Sequence, residues 1–294
     1  MTRAGLVAVA GKPNVGKSTL LNRLVGQKLS ITSPKPQSTR NLIVGIRSDG
    51  ETQMVLLDTP GLLDPRYELQ RAMRATARRA ILDADVILYL GDATAAPPEP
   101  LHVAAELPAP PRTPVLTVLN KADLLTPDTR TRLEAAVPQA LLVSAATGDG
   151  IDTLLNAVRH HLPESPFLYD ADDLATQPLR FFAAELVRES ALEQLSDEVP
   201  YSLAVQVEEF REDRSPVYIR AVLYVERESQ KRILIGHRGA RIREIGQAAR
   251  TKIEALLGEQ DVYLDLWVKV LPHWRRDPRA LRRFGYAPPE ESST

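Results

Sequence analysis

Nine residues near the amino terminus, Gly11-Lys12-Pro13-Asn14-Val15-Gly16-Lys17-Ser18-Thr19, have the types and spacing that a phosphate-binding loop requires. Glycines let backbone N–H groups approach phosphate oxygens, and a helix beginning here would add its N-terminal dipole. Lys17 supplies a point charge for the β- and γ-phosphates, and the Ser18 hydroxyl is a ligand type suited to Mg²⁺. The spacing Gly-x4-Gly-Lys-Ser has this meaning only between a strand and a helix. Both flanks are present, as the apolar run Leu6–Ala10 before it and the helical pattern Leu20–Val25 after it.

Three further stretches carry chemistry that a bound nucleotide would use. The run Met54–Leu57 reads as a strand that delivers Asp58-Thr59-Pro60-Gly61 at its carboxyl end, where a doubly wound sheet presents ligand-binding groups. The Asp58 carboxylate is suited to hold Mg²⁺ through water, and the Gly61 N–H to reach the γ-phosphate. A second strand, Val115–Leu119, ends in Asn120-Lys121-Ala122-Asp123. Asp123 can accept hydrogen bonds from guanine N1–H and the exocyclic amine, whereas adenine would face it with a lone pair. Asn120 is expected to brace the surrounding loops and Lys121 to pack along the base. A third strand, Ala140–Val143, ends in Ser144-Ala145-Ala146, where the Ala145 N–H is expected to bond guanine O6.

The elements that must position these residues alternate strand and helix, which predicts a mostly parallel, doubly wound α/β sheet over residues 1–165. Between the first helix and second strand, Leu29–Asn41 is polar, carries Pro34 and Pro36 and shows no period. Alone it is a connector, but nucleotide switches place a mobile segment here, with Thr39 the candidate to complete the Mg²⁺ shell. Pro65–Ala84 and Ile151–Leu162 read as helices, and Leu42–Arg47 and Asp85–Leu90 as further strands. Residues 166–178, with Pro166, Pro178 and several aspartates, predict a linker.

From residue 179 the pattern is helix, strand, strand, helix, helix, strand, predicting an α+β domain over 179–294. Its strands are expected at Tyr201–Phe210, Val217–Val225 and Val262–Leu271. Gly236-His237-Arg238-Gly239 falls between helices Lys231–Ile235 and Ala240–Leu257. A Gly-x-x-Gly tetrapeptide means little alone, but between two helices it is the layout of a KH module, whose loop clamps about four single-stranded nucleotides. Arg238 and Arg241 would add charge. The tail from Trp267 to Arg283, with Lys269, Trp274, Arg275 and Arg276, interleaves aromatics with cations, a composition able to stack bases and hold phosphates or simply to form a solvated helix end.

The formal net charge of −1 conceals an asymmetry. Residues 1–230 carry 24 Lys+Arg against 30 Asp+Glu, whereas residues 231–283 carry 13 against 6. A basic block at one end of an acidic chain suits a polyanion partner. There is no cysteine, which excludes disulfides, Cys-ligated zinc and thiol catalysis. No stretch has the length of a membrane span and no signal peptide is apparent, so a cytoplasmic location is expected.

Taken with Gln37-Ser38-Thr39-Arg40, these motifs resemble the translation-factor-like GTPases, and nearly the whole chain resembles the Era family of ribosome-assembly GTPases with a C-terminal KH domain. The resemblance implies a phosphate-loop GTPase domain followed by a type II KH domain. It implies GTP/GDP and Mg²⁺ as ligands and the 3′ end of small-subunit ribosomal RNA, within the small ribosomal subunit, as partner. A monomer is expected, and the family resemblance leaves room for peripheral membrane contact. Lys17, Thr39, Gly61 and Asn14 are the expected catalytic set. Leu62 stands where a water-orienting glutamine usually follows the Asp-x-x-Gly turn. GTPases with that substitution and an asparagine such as Asn14 often use K⁺, so Asn14 is expected to help hold one. A binding module with a degenerate nucleotide site is disfavoured by the intact Lys17, Ser18 and Asp58. A tRNA-modifying GTPase would need a further catalytic domain.

Overall fold

Val7, Ala8, Val9 and Ala10 are wholly buried because β1 (Arg3–Gly11) runs through the interior of a six-stranded sheet. The computed structural model describes residues 1–196 and 198–286, and they divide into two compact units. The first comprises Met1–Arg66 and Gln70–Thr176. Its strands are β1, β2 (Ile43–Asp49), β3 (Thr52–Asp58), β4 (Val86–Asp92), β5 (Val115–Asn120) and β6 (Leu141–Leu142), in the spatial order β2-β3-β1-β4-β5-β6. Only the β2–β3 pair is antiparallel. Parallel strands covered on both faces must be apolar throughout, which is why β4 reads as an unbroken hydrophobic run. The helices are α1 (Lys17–Val25), α2 (Glu68–Asp83), the short α3 (Leu101–Ala104), α4 (Pro127–Ala136) and α5 (Ile151–His161).

Register aligns the functional strand ends. Val9 pairs with Asp58, Gly11 with Leu90, and Asp92 with Asn120. The carboxyl ends of β1, β3 and β5 therefore open on one edge of the sheet, the ligand edge of such folds. Helix α4 buries none of its residues and is fixed locally, by the Thr126 cap and Pro127 in its first turn.

The stretch read as a linker, 166–178, is bound along the first unit as far as Thr176. Gln53, wholly buried, accepts from the N–H groups of Leu168 (2.7 Å) and Tyr169 (3.0 Å) and donates to the Tyr169 carbonyl (2.9 Å). Ile46 N–H donates to the Leu174 carbonyl (2.8 Å).

The second unit begins at Gln177. It contains α6 (Leu179–Gln194), α7 (Val199–Ser202), β7 (Ala204–Arg211), β8 (Val217–Val225), α8 (Glu228–Ile235), α9 (Ala240–Leu256), β9 (Val262–Val270) and α10 (Pro278–Arg283). The strand expected from Tyr201 starts at Ala204 instead, because Pro200 favours a helical first turn and the Ser202 hydroxyl donates to the Val199 carbonyl (2.9 Å). Strand β8 is central, antiparallel to β7 and parallel to β9. One face of this sheet packs on the helices. Val217, Ile219, Ala221, Leu223 and Val225 of β8 meet Ile245, Ala249 and Ile253 of α9 there, at i, i+4, i+8 spacing.

Candidate nucleotide site and nucleic-acid interface

In the first unit the loop between β1 and α1 turns tightly enough to require Gly16. Its φ is 93°, and a Cβ there would lie 2.2 Å from Asn120 Nδ2. That close approach lets Asn120 donate to the Val15 carbonyl (2.9 Å) while its Oδ1 accepts from Ala145 N–H (2.9 Å). Asn120 thus ties the phosphate-loop motif to the turn after β6. Lys17 is buried, and its Nζ donates to the carbonyls of Gly11 (3.1 Å) and Lys12 (2.9 Å). Burial lowers the Lys17 ammonium pKa to about 8, with Asp58 opposing the shift.

Ser18 and Thr39 are brought together across 21 residues of sequence, their hydroxyls 2.7 Å apart. Asp58 is wholly buried beside Lys17 and Ser18, and neither carboxylate oxygen finds a hydrogen-bond partner among the described residues. Burial pushes its carboxyl above the ordinary range, and Lys17 and the hydroxyls of Ser18 and Ser30 work against that push. A buried carboxylate facing the Ser18 and Ser30 hydroxyls, with the Thr39 hydroxyl bonded to that of Ser18, fits a hydrated divalent cation. Among the described residues no group of three His, Asp or Glu side chains could hold a metal. Mg²⁺ held by Ser18, Thr39 and Asp58 would therefore share its ligand set with phosphate oxygens, whose charge it would neutralise.

A cleft of about 530 Å³ opens over these groups, lined by Pro13, Asn14, Gly16, Lys17, Ser18, Thr19, Thr39, Gly61, Lys121 and residues 31–34 and 37–38. Gly61 lies so close to Pro13 that a Cβ would fall 2.8 Å from its ring. Asn14 Nδ2 donates to the Pro34 carbonyl (2.9 Å), linking the phosphate loop to the loop ahead of Thr39. Leu62 is buried, and its N–H donates to the Gly11 carbonyl (3.0 Å).

At the base end, Asp123 Oδ1 accepts from the Ser144 hydroxyl (2.5 Å). Lys121 adopts a φ of 70°, and its Nζ meets Asp92 Oδ2 at 2.6 Å. Burial works to raise the Asp92 carboxyl, but its bonds from Lys121 and Thr94 hold it below the ordinary range. Ala145 is buried and its N–H donates to Asn120 Oδ1 in this structure, while Ala146 is exposed. Asp92 and Arg23, which bonds the carbonyls of Ala145 (3.1 Å) and Ala146, lie outside the sequence motifs. A single cation or carboxylate at a strand or helix end carries no spacing signal.

In the second unit, Gly236-His237-Arg238-Gly239 joins α8 to α9 with His237 and Arg238 exposed. Gly236 has φ 73° and ψ 177°, and a Cβ there would sit 2.7 Å from that of Arg241. Arg241 is exposed on the first turn of α9, with Glu244 3.4 Å from its guanidinium. Between α9 and β9 lies a cleft of about 470 Å³, lined by Ile242, Arg243, Gly246, Gln247, Arg250, Val262, Tyr263, Leu264 and Leu266. Sequence reasoning missed this cleft, which depends on β9 passing close to Gly246.

Of the two tail tryptophans, Trp267 is exposed and Trp274 is not available for stacking. Trp274 is wholly buried, donates from Nε1 to the Ser202 carbonyl (2.8 Å) and packs on Phe284 and Tyr286. Arg275 is half-buried and ion-paired with Glu226. Lys269 pairs with Glu208 (3.3 Å) and alternates with Val268 and Val270, placing it on the sheet face away from the helices. Arg276 is exposed.

Residues 6–121 match the family model for 50S ribosome-binding GTPases, and residues 198–275 match that for KH domains. The chain is 43% identical over 292 residues to the GTPase Era of Geobacter metallireducens, covering 97% of this chain and 98% of that one. It is 44% identical to the GTPase Era of Pseudomonas aeruginosa, covering 97% and 95%. Among solved structures, Era of Aquifex aeolicus bound to GDP·AlF4⁻ shares 40% identity with a TM-score of 0.89, covering 97% of this chain and 100% of that one. A structure of Era with MgGDPNP and nucleotides 1506–1542 of 16S ribosomal RNA also shares 40% identity, with a TM-score of 0.90, covering 98% and 100%.

Proposed function

Because the chain belongs to the Era family of GTPases, we propose that it couples GTP hydrolysis to binding of the single-stranded 3′ end of small-subunit ribosomal RNA during small-subunit maturation. The observation that carries this reading is the coexistence, in one chain, of the four-motif edge around Lys17, Asp58 and Asp123 with a KH unit whose glycine-flanked loop is exposed. Support for the RNA comes from the relative solved with a 16S ribosomal RNA segment. The nucleotide is held by Gly11–Thr19 at its phosphates and by Asn120, Lys121, Asp123 and the Ser144–Ala146 turn at its base. Gly236–Gly239 and Arg241 hold the RNA backbone, and the cleft between α9 and β9 takes bases. The functional domains are residues 1–165 and 179–294, joined by 166–178.

Two features favour K⁺ as the activating charge. Leu62 is buried and cannot orient water, while the Asn14 Oδ1 has no partner among the described residues. The protein acts as a cytoplasmic monomer, and any membrane contact is peripheral. No described helix is long and apolar enough to cross a membrane. The test of the RNA partner is competition. Binding to a labelled 3′-terminal small-subunit rRNA fragment should resist an unrelated single strand of equal length, and equal competition by the two would reject the assignment.

A further inference from the structure

Lys121 is tied down before any base reaches it. Its ammonium sits 2.6 Å from Asp92 Oδ2, and Asp92 Oδ1 accepts from the N–H (2.9 Å) and the hydroxyl (2.7 Å) of Thr94. Both oxygens of Asp92 are therefore engaged, one fixing the side chain to its own turn and the other reaching across to the residue after β5. The same turn holds Asn120, whose carbonyl accepts from Ala93 N–H (2.8 Å) and whose place in the sheet is beside Asp92. Residues 92–94 thus brace the backbone of one motif residue and the side-chain tip of the next. The Lys121 and Asp92 side chains are 33% and 22% exposed, so the pair is sheltered from solvent without being cut off from it. Lys121 lines the cleft over the phosphate loop. A four-carbon lysine stem samples many rotamers, and ordering it against a ligand weakens binding. A stem held at both ends, by a left-handed backbone at φ 70° and by Asp92 at its tip, is ordered beforehand. Lysine stems cover apolar surface while their heads keep polar company, and the face of a purine is such a surface.

We propose that Asp92 is a positioning residue for nucleotide binding, tethering the Lys121 ammonium so that the aliphatic stem is preset against the face of the base. This rests on the reading of Lys121 as the residue that packs along the base, and it adds a residue that belongs to none of the motifs. It also gives the turn after β4 a part in a site whose other base contacts come from the ends of β5 and β6.

Equilibrium binding of GDP, and of IDP, which lacks only the amine read by Asp123, is measured on the full-length protein and on Asp92→Asn, Lys121→Ala and the double variant. Asparagine keeps the shape of Asp92 and an oxygen for Thr94, but it turns an amide donor toward the ammonium. Losing the tether should weaken GDP binding to Asp92→Asn by about fivefold. IDP should weaken by the same factor, because the stem lies on the ring face and not on the edge that carries the amine. In the Lys121→Ala background, Asp92→Asn should cost nothing further, a coupling that the double-mutant cycle reads directly. The same loss in both backgrounds is what a merely structural role of the turn would give, and it overturns the proposal. A GDP-to-IDP ratio that shifts in Asp92→Asn overturns it too, as does GDP binding at wild-type strength. Lys121→Ala binding GDP as tightly as wild type overturns instead the reading of Lys121 at the base. Lys121→Met cuts the tether without touching Asp92 or its turn, and it repeats the test should Asp92→Asn melt early without nucleotide. Unchanged GDP affinity in Lys121→Met also overturns the proposal.

Discussion

Asp123 and Leu62 show how far single residues decide the behaviour of the site. The Ser144 hydroxyl takes one oxygen of Asp123 and orients the carboxylate, which leaves the other for the base. Guanine offers two donors to such a group and adenine none in the same place. Competition binding should therefore favour GTP over ATP by about a hundredfold or more. Asp123→Asn should move the preference toward xanthine nucleotides, whose 2-carbonyl accepts where guanine's amine donates. Leu62 is a different case, because it is buried against Ala8, Ala77 and Tyr89 in the apolar layer. Replacing it by glutamine would bury an amide without partners and destabilise the protein by about 1–3 kcal/mol. Urea unfolding should show that loss, and turnover should not rise. The charge a glutamine would have helped to stabilise must come from elsewhere. Turnover in KCl should exceed that in NaCl at matched ionic strength, and Asn14→Ala should abolish the difference. An equal rate in the two salts would reject a role for K⁺.

At the scale of elements, the C-terminal segment is a clasp on the second sheet. Trp274 is the largest wholly buried side chain, its indole N–H is satisfied by Ser202, and Phe284 packs on both Trp274 and Tyr224. Trp274→Ala should cost about 3–5 kcal/mol, the usual toll of deleting a buried aromatic. Trp274→Phe, which keeps a ring and loses the hydrogen bond, should cost less, and denaturant midpoints would rank the two. The sequence showed Trp274 only as an aromatic among arginines, because an alternating aromatic and cation pattern looks alike when buried and when stacked on bases. Other elements differed in legibility for equally physical reasons. The strands ending at Asp58 and Asn120 were plain because parallel strands buried on both faces leave continuous apolar runs. Helix α4 was silent because it buries nothing and so has no apolar stripe to betray its period. The segment 166–178 read as a linker from its composition, which carries no trace of the hydrogen bonds between Gln53 and the backbone of Leu168 and Tyr169 because Gln53 lies more than a hundred positions away. Of the site, the motifs fixed by spacing were readable. Arg23, Asp92 and the cleft beside Gly246 needed the fold to bring distant residues together.

Across the whole molecule, the nucleotide motifs and the most basic stretch of the chain lie in different units, and that division makes their activities separable. The basic surplus lies within residues 231–283, and the glycine-flanked loop sits inside it with His237 and Arg238 both exposed. Arg238 holds a left-handed backbone with φ 49°, and its carbonyl accepts from Arg243 (3.2 Å), so the loop is shaped by backbone interactions that survive a change of side chain. Replacing His237 and Arg238 by aspartate puts two negative charges where an RNA backbone would run. The apolar face of α9 at Ile245, Ala249 and Ile253 is untouched, and the unit should remain folded by circular dichroism. Affinity for single-stranded RNA should then fall about tenfold or more. The slope of log affinity on log salt should become shallower by about 0.7 for each phosphate the protein no longer neutralises. Basal GTP hydrolysis in the absence of RNA should be unchanged, because Lys17, Asp58 and Asp123 belong to the first unit. A folded double variant that binds single-stranded RNA as tightly as wild type at the same salt would show that this loop does not carry the RNA. Loss of RNA binding together with loss of basal hydrolysis would show instead that the two activities are not separable.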